Sequence, residues 1–234
     1  MYKNKMKIII DILMTLILLI QMSYELFGIF LSDLLSKIGI TFDGYEYAGI
    51  IHEYLGIALI ILFCIHFYLN RWWIKSIFKG KYNFSRTILT FINFALIFDV
   101  IILFLSGIGV SKSIVIFDTE EYISLSREAH MLSAYWGFVL MSFHAGMNWQ
   151  MISARIFHGK KYKILTLIAL FIMIYGAYAF NQRQLWEYMT LKNMFVFFDY
   201  DENYLCFLLD YLSIMLLFAC LGHYLNSTMK RFKL

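Results

Sequence analysis

Apolar residues run along this chain in long blocks, each bounded by a short polar stretch. Six blocks are visible, at about 8–31, 50–70, 87–110, 129–151, 164–181 and 204–225. Roughly 20 residues of helix cross about 30 Å of hydrocarbon. Lipid cannot satisfy free backbone N–H and C=O groups, so each block is predicted to be a helix. The pattern predicts an all-α, polytopic membrane bundle of six transmembrane helices. Residues 1–234 contain no proline and no Gly/Ser-rich linker. They read as one integral membrane domain without a soluble appendage.

The first block follows the basic start MYKNKMK. It is too long for a secretory signal and no A-x-A-like cleavage site follows, so it reads as a retained first helix. Cations then set the topology. Lys3, Lys5 and Lys7, the loop cations Arg71, Lys75, Lys79, Lys81 and Arg86, the loop cations Arg155, Lys160, Lys161 and Lys163, and the tail cations Lys230, Arg231 and Lys233 share one side. The opposite side holds only Lys37, Lys112, Arg127, Arg183 and Lys192. Fifteen against five puts both termini in the cytoplasm and the chain in the cell membrane as a multi-pass protein. The acids Asp43, Glu46, Asp118, Glu120, Glu121, Asp199, Asp201 and Glu202 all fall outside. Tyr45, Tyr47, Trp72, Trp73 and Trp149 lie near helix ends, as interfacial anchors do. The outer stretch NQRQLWEYMTLKNMFVFFDYDEN either lies in the interface or folds back over the outer face.

Composition agrees with the pattern. The chain is 61% hydrophobic and 15% charged, with a mean hydropathy of +0.68, which excludes an ordinary soluble domain. The net charge of +4 is spread over short loops, so no nucleic-acid partner is implied. Cys64, Cys206 and Cys220 lie in apolar blocks and form neither CxxC nor CxxCH. That argues against zinc ribbons, iron–sulfur centres and covalent haem, and predicts small buried side chains.

Histidines carry the candidate chemistry. His52 and His66 lie in the second block, fourteen positions apart, and His130 and His144 in the fourth, also fourteen apart. Fourteen helical steps rise about 21 Å and fall about 40° short of four full turns. Each pair therefore projects from nearly one face, near opposite ends of the membrane. The two helices run in the same direction, which puts His52 and His130 at the outer depth and His66 and His144 at the inner depth. Facing each other, helices two and four would make two stacked bis-histidine sites. Each would hold a non-covalent haem b with both axial positions filled, an arrangement suited to electron transfer. Gly56 and Ala134, each four residues after an outer histidine, and Gly137, midway between His130 and His144, would leave room for the macrocycles. Plain helix packing uses small residues in the same way. A lone membrane histidine can equally be a hydrogen-bonded packing residue or a proton relay. A compact zinc site is excluded by the 21 Å rise within each pair. His158 in a cytoplasmic loop and His223 near the inner end of the last helix read as surface residues.

Two helices each bearing His-x13-His resemble the di-haem core of cytochrome b from quinol-oxidising complexes. They are also similar to the ferric reductase membrane domain, whose cytosolic flavin and NADPH module has no counterpart here. A resemblance over nearly the full length lies in IHEYLGIALIILFCIHFYLNRWW, SGI at 106–108, YGAYAF at 175–180 and DYLSIM at 210–215. These stretches look like the flavinylation-associated cytochrome family. The resemblance implies that His52, His66, His130 and His144 ligate two haems. It further implies that electrons pass to an extracytoplasmic protein carrying covalent FMN. The donor stays open between a membrane quinol such as menaquinol and a cytoplasmic carrier, and with it the choice between a quinol-dependent oxidoreductase and an electron-transfer subunit.

Other polar residues fall within the blocks. Asp99 lies near the middle of block three, Glu25 and Asp210 in outer halves, and Glu53 beside His52. Asp99 would serve a proton path or a bond to a ligating imidazole, or simply a helix–helix hydrogen bond. Arg127, three residues before His130, would pair with haem propionates outside, and Arg71 and Lys75 inside; the competing role for all three is snorkelling. Two further classes fit the same composition. One is a proton-coupled transporter or channel, against which the absence of any Gly/Pro break in a block argues. The other is a non-redox anchor subunit.

Overall fold

The computed structural model describes residues 2–114, 119–149 and 163–231, and every regular element among them is helical. The helices are α1 (Tyr2–Gln21), α2 (Tyr24–Ser36), α3 (Gly44–Asn70), α4 (Trp72–Ser76), α5 (Phe84–Val110), α6 (Glu120–Met147), α7 (Lys163–Gln182), α8 (Leu185–Met189) and α9 (Tyr204–Arg231). His158, Asp118, Arg155, Lys160, Lys161 and Lys233 lie outside the described residues.

Three stretches are long and apolar enough to cross a membrane: Gly44–Ser76, Phe84–Val110 and Tyr204–Arg231. The bent pair α1–α2 makes a fourth if counted as one span. This is the composition of a membrane protein. The 28 residues of α6 reach about 42 Å at 1.5 Å each. Its first turns, however, carry Glu120, Glu121, Arg127 and Glu128.

The first block is not one straight helix. It breaks at Met22–Ser23 and turns through 96°. No proline is needed for this. Ser23 is fully buried, and its Oγ donates back to the Leu19 carbonyl at 2.9 Å. Such back-bonding competes with the helical ladder and bends it. The Ser23 amide closes a tighter turn on Ile20, and the Phe27 amide restarts the helix on the Ser23 carbonyl. The expectation of an unbroken span over 8–31 missed this because no Gly or Pro marks the break.

The chain divides into two compact units, each assembled from separated segments. The first comprises Met1–Lys79, Phe104–Arg127 and Phe195–Leu208. Within it α1 and α2 both pack on α3. Gly28 of α2 and Gly44 of α3 abut backbone to backbone, and a Cβ on either would strike the other's carbonyl. Asp43 starts α3 by accepting from the Tyr45 and Glu46 amides, at 3.0 and 3.1 Å. The second unit comprises Gly80–Leu103, Glu128–Met194 and Leu209–Leu234. Gly146 of α6 lies against the Ala219 carbonyl of α9, and Gly222 of α9 against the Phe143 carbonyl. Small residues thus bring α6 and α9 to van der Waals contact, the usual device where the hydrophobic effect does not press helices together. Asn226 ties three helices of this unit: it accepts from Ser85 Oγ and donates to the Met147 carbonyl, each at 2.5 Å.

The stretch after α7 packs in part on α6: α8 buries Leu185, Tyr188 and Met189, Tyr188 stacks on Tyr135 at 4.7 Å, and Trp136 Nε1 donates to the Met189 carbonyl at 2.9 Å. The cysteines are not the buried residues expected. Cys64 and Cys206 are exposed and Cys220 is half-buried. Apolar surface in a membrane helix faces lipid at no cost, so burial does not follow from hydropathy there.

Candidate functional site

The candidate residues stand on two uninterrupted helices, His52 and His66 on α3 in the first unit and His130 and His144 on the part of α6 in the second. On α3 the exposed residues Ile50, Tyr54, Ile57, Ile61, Ile65 and Tyr68 form a stripe. In steps of 100° that stripe covers an arc of about 80°. His52 and His66 lie about 160° round from its centre, on the opposite face. Both are half-buried, so neither ring stands in the exposed stripe. On α6, His130, Gly137 and His144 follow at seven-residue intervals and share an arc of about 40°. The fully buried side of α6, with Met131, Tyr135, Phe138, Val139 and Ser142, lies about 150° away. The two histidines of α6 are half-buried, and Ser126 and Ser133, both buried, lie on the same face within about 40° of the centre of their arc.

Hydrogen bonds fix which ring nitrogen faces an acceptor. His66 Nδ1 lies 2.8 Å from Asp11 Oδ1 of α1. A carboxylate only accepts, so Nδ1 carries the proton and Nε2 keeps its lone pair. His130 Nδ1 lies 3.2 Å from the Leu103 carbonyl of α5, which imposes the same tautomer. This is the arrangement a ligating imidazole needs, with the distal N–H held by an acceptor. The His52 ring packs against Tyr24 at 4.6 Å, and the His52 carbonyl accepts from Gln21 Nε2 at 3.1 Å.

Three participants were missed by reading the sequence. Asp11 is one of two acids in the first apolar block, with Glu25, a signal that was available. Asn70 and Asn148 stand four residues after His66 and His144, in HFYLN and HAGMN. Each donates Nδ2 to that histidine's carbonyl at 2.9 Å, with the same nitrogen 3.4 Å from Nε2 of the ring. The repeat is thus His-x13-His-x3-Asn in both helices.

The other predicted residues fall as follows. The clearance over Gly137 is taken by the Asp99 carboxylate of α5, within the second unit. Asp99 is 9% exposed and its Oδ2 has no hydrogen-bond partner. The nearest group over Gly56 is Gln21 Nε2. Ala134 is half-buried and Arg127 exposed. Arg71 lies over the Tyr68 ring at 4.0 Å and Lys75 over the Trp72 ring at 4.6 Å. Tyr45, Tyr47, Trp72 and Trp149 are exposed, as anchors are. Glu53 accepts from Ser111 Oγ and the Lys112 amide at 3.0 and 2.9 Å. Glu25 is bridged by the Tyr24 and Tyr200 hydroxyls at 3.0 and 2.6 Å. That bond pushes the Tyr200 hydroxyl above its ordinary range, because ionising it would set two anions together. Asp210 is spoken for by Arg183 Nη2 at 2.7 Å and by the Tyr175 hydroxyl at 2.5 Å. His223 is half-buried beside Tyr224.

Among the described residues no group of three or more His, Cys, Asp or Glu side chains gathers to hold a bare metal ion. A bis-histidine haem draws on two protein ligands, and the donor chemistry fits it: in His66 and His130 Nδ1 faces an acceptor, which leaves Nε2 as the nitrogen a ligand would use. The chain matches no family model, no curated protein and no solved structure.

Proposed function

We propose that this chain is a six-helix, di-haem b-type membrane cytochrome that carries electrons across the cell membrane. In this reading α3 and α6 run side by side with both termini cytoplasmic. His52 and His130 ligate the outer haem, and His66 and His144 the inner one. The donor is menaquinol or a cytoplasmic carrier, with a quinone as the further cofactor in the first case. The acceptor is an extracytoplasmic flavinylated protein, as in the family the sequence resembles. The observation that carries the proposal is the pair of equal fourteen-residue spacings, joined to an acceptor at Nδ1 of His66 and of His130.

A bound haem supplies the one-electron chemistry. The chain's own residues do the rest. Asp11 and the Leu103 carbonyl hold the protons on Nδ1 and orient the rings. The apolar faces of both helices exclude water. The test is the haem content of full-length protein from haem-replete cells. Two haems per chain with a b-type α-band are expected, and substituting His66 or His130 by Ala removes one each. A haem-free protein would end the proposal.

A second reading, a proton-coupled transporter, is favoured by the break between α1 and α2 and by the partnerless Asp99 Oδ2. It predicts no haem, together with proton flux in proteoliposomes that Asp99→Asn abolishes.

A further inference from the structure

The exposed stripe of α3 changes character at its end. Ile50, Tyr54, Ile57, Ile61, Ile65 and Tyr68 are followed on the same face by Trp72 and Lys75, with Arg71 about 40° to one side. The backbone stays helical through Arg71, so α3 and α4 run on as 33 residues, Gly44–Ser76. That is about 50 Å of helix against about 30 Å of hydrocarbon, and in a bilayer the excess stands among the headgroups. The Tyr68–Lys75 end has the chemistry of that place. The Arg71 guanidinium lies over the Tyr68 ring and Lys75 Nζ over the Trp72 ring, and both rings are exposed. A ring face holds a cation without taking up its N–H donors. Arg71 gives one of them to the Tyr68 carbonyl at 3.0 Å. Among the described residues no carboxylate pairs with either cation. The sequence has no Asp or Glu between Glu53 and Asp99. Lys7 Nζ donates to Asn70 Oδ1 at 2.8 Å, which sets the start of α1 beside the end of α3 within the first unit. Exposed Lys5 and Lys79 of the same unit add charge there, while Asp11, the acid of α1, is engaged by His66.

We infer that this end of the first unit is a binding surface for anionic phospholipid, with Arg71 and Lys75 on the headgroup phosphate and Tyr68 and Trp72 against the carbons just below it. Lys5 and Lys79 supply further positive charge around the headgroup. The charge is complementary to a net-negative headgroup; a phosphatidylcholine brings its own cation and is the poorer fit. The apolar stripe from Ile50 to Tyr68, about 27 Å long, leads up to the cations and gives acyl chains a surface to lie on. That continuity favours a lipid over a soluble anion. The inference goes beyond the cytochrome reading and does not depend on it, since none of these cations is a ligand.

The test is native mass spectrometry of the full-length protein, titrated in detergent with phosphatidylglycerol or with phosphatidylcholine of the same acyl chains. Each bound lipid appears as its own mass increment, separate from any haem. A basic side chain near an anionic headgroup changes association about fivefold. Wild-type protein is expected to take its first phosphatidylglycerol well ahead of phosphatidylcholine. Arg71→Gln and Lys75→Gln each lower that preference about fivefold, and the double variant loses most of it. Lys112→Gln leaves it unchanged, because the Lys112 amide meets Glu53 near the opposite end of α3. In the wild type the preference also falls as ammonium acetate is raised, through screening, which provides the result if the variants do not fold. Equal affinity for the two lipids overturns the inference. A preference that survives the double variant, or one indifferent to salt, does the same. Displacement of the lipid by excess inorganic phosphate also overturns it, since the site would then be one for a free anion.

Discussion

Replacing Asp11 by Asn tests the chemistry of the inner ligand most directly. In the native protein a carboxylate oxygen lies 2.8 Å from His66 Nδ1. A hydrogen bond to a charged group contributes about 1.5–3 kcal/mol when desolvated, whereas exposed ion pairs contribute about 0.2–1 kcal/mol. The side chains here are 29% and 36% exposed, which places the pair between those limits, near about 1 kcal/mol. Asparagine keeps an acceptor oxygen and loses the charge. On the di-haem reading, what disappears is the carboxylate's pull on the Nδ1 proton, which would favour the oxidised, more positive iron. At about 59 mV per tenfold change for one electron, 1 kcal/mol corresponds to roughly 40 mV. Part of the bond survives, so the expected shift is about 20–40 mV upward for the inner haem and close to zero for the outer. Potentiometric titration, followed at the α-band and fitted to two one-electron components, reads both values in one sample. An unchanged pair of potentials, or equal movement of both, would show that Asp11 does not act through His66.

Other substitutions address the scaffold. Gly137→Ala puts a methyl group against the Asp99 carboxylate and lowers stability by about 1–3 kcal/mol; Asp99→Ala in the same chain restores most of it, and a melting temperature insensitive to Gly137→Ala would refute the contact. Asn226→Leu strands Ser85 and the Met147 carbonyl together, at about 2–4 kcal/mol. The yield of monodisperse protein in detergent falls accordingly, and a wild-type yield and melt would contradict the three-helix tie. Arg183→Ala leaves Asp210 without its cation at 16% exposure, and the loss is about 3–5 kcal/mol. Adding Asp210→Asn recovers much of that in a double-mutant cycle, whereas simple additivity would mean the two side chains are not coupled.

Hydropathy, cation placement and the two His-x13-His spacings were enough to read a helical membrane protein and to nominate four histidines. These are properties of the chain in one dimension. A helix places residues fourteen apart on one face whatever it packs against, and lipid selects apolar blocks without regard to neighbours. The Ser23 break was not legible, because a serine bends a helix only when burial turns its hydroxyl back on the ladder. Asp11 and Asp99 looked alike in the sequence, two acids in apolar blocks. Tertiary contact alone gave one a ring nitrogen and the other a glycine. The asparagines stood in plain view as a repeat, but an amide four residues from a histidine has no meaning until its donor points at the ring. Periodicity records which side of a helix a residue occupies; what waits on that side is decided by elements distant in sequence, through contacts no local pattern encodes.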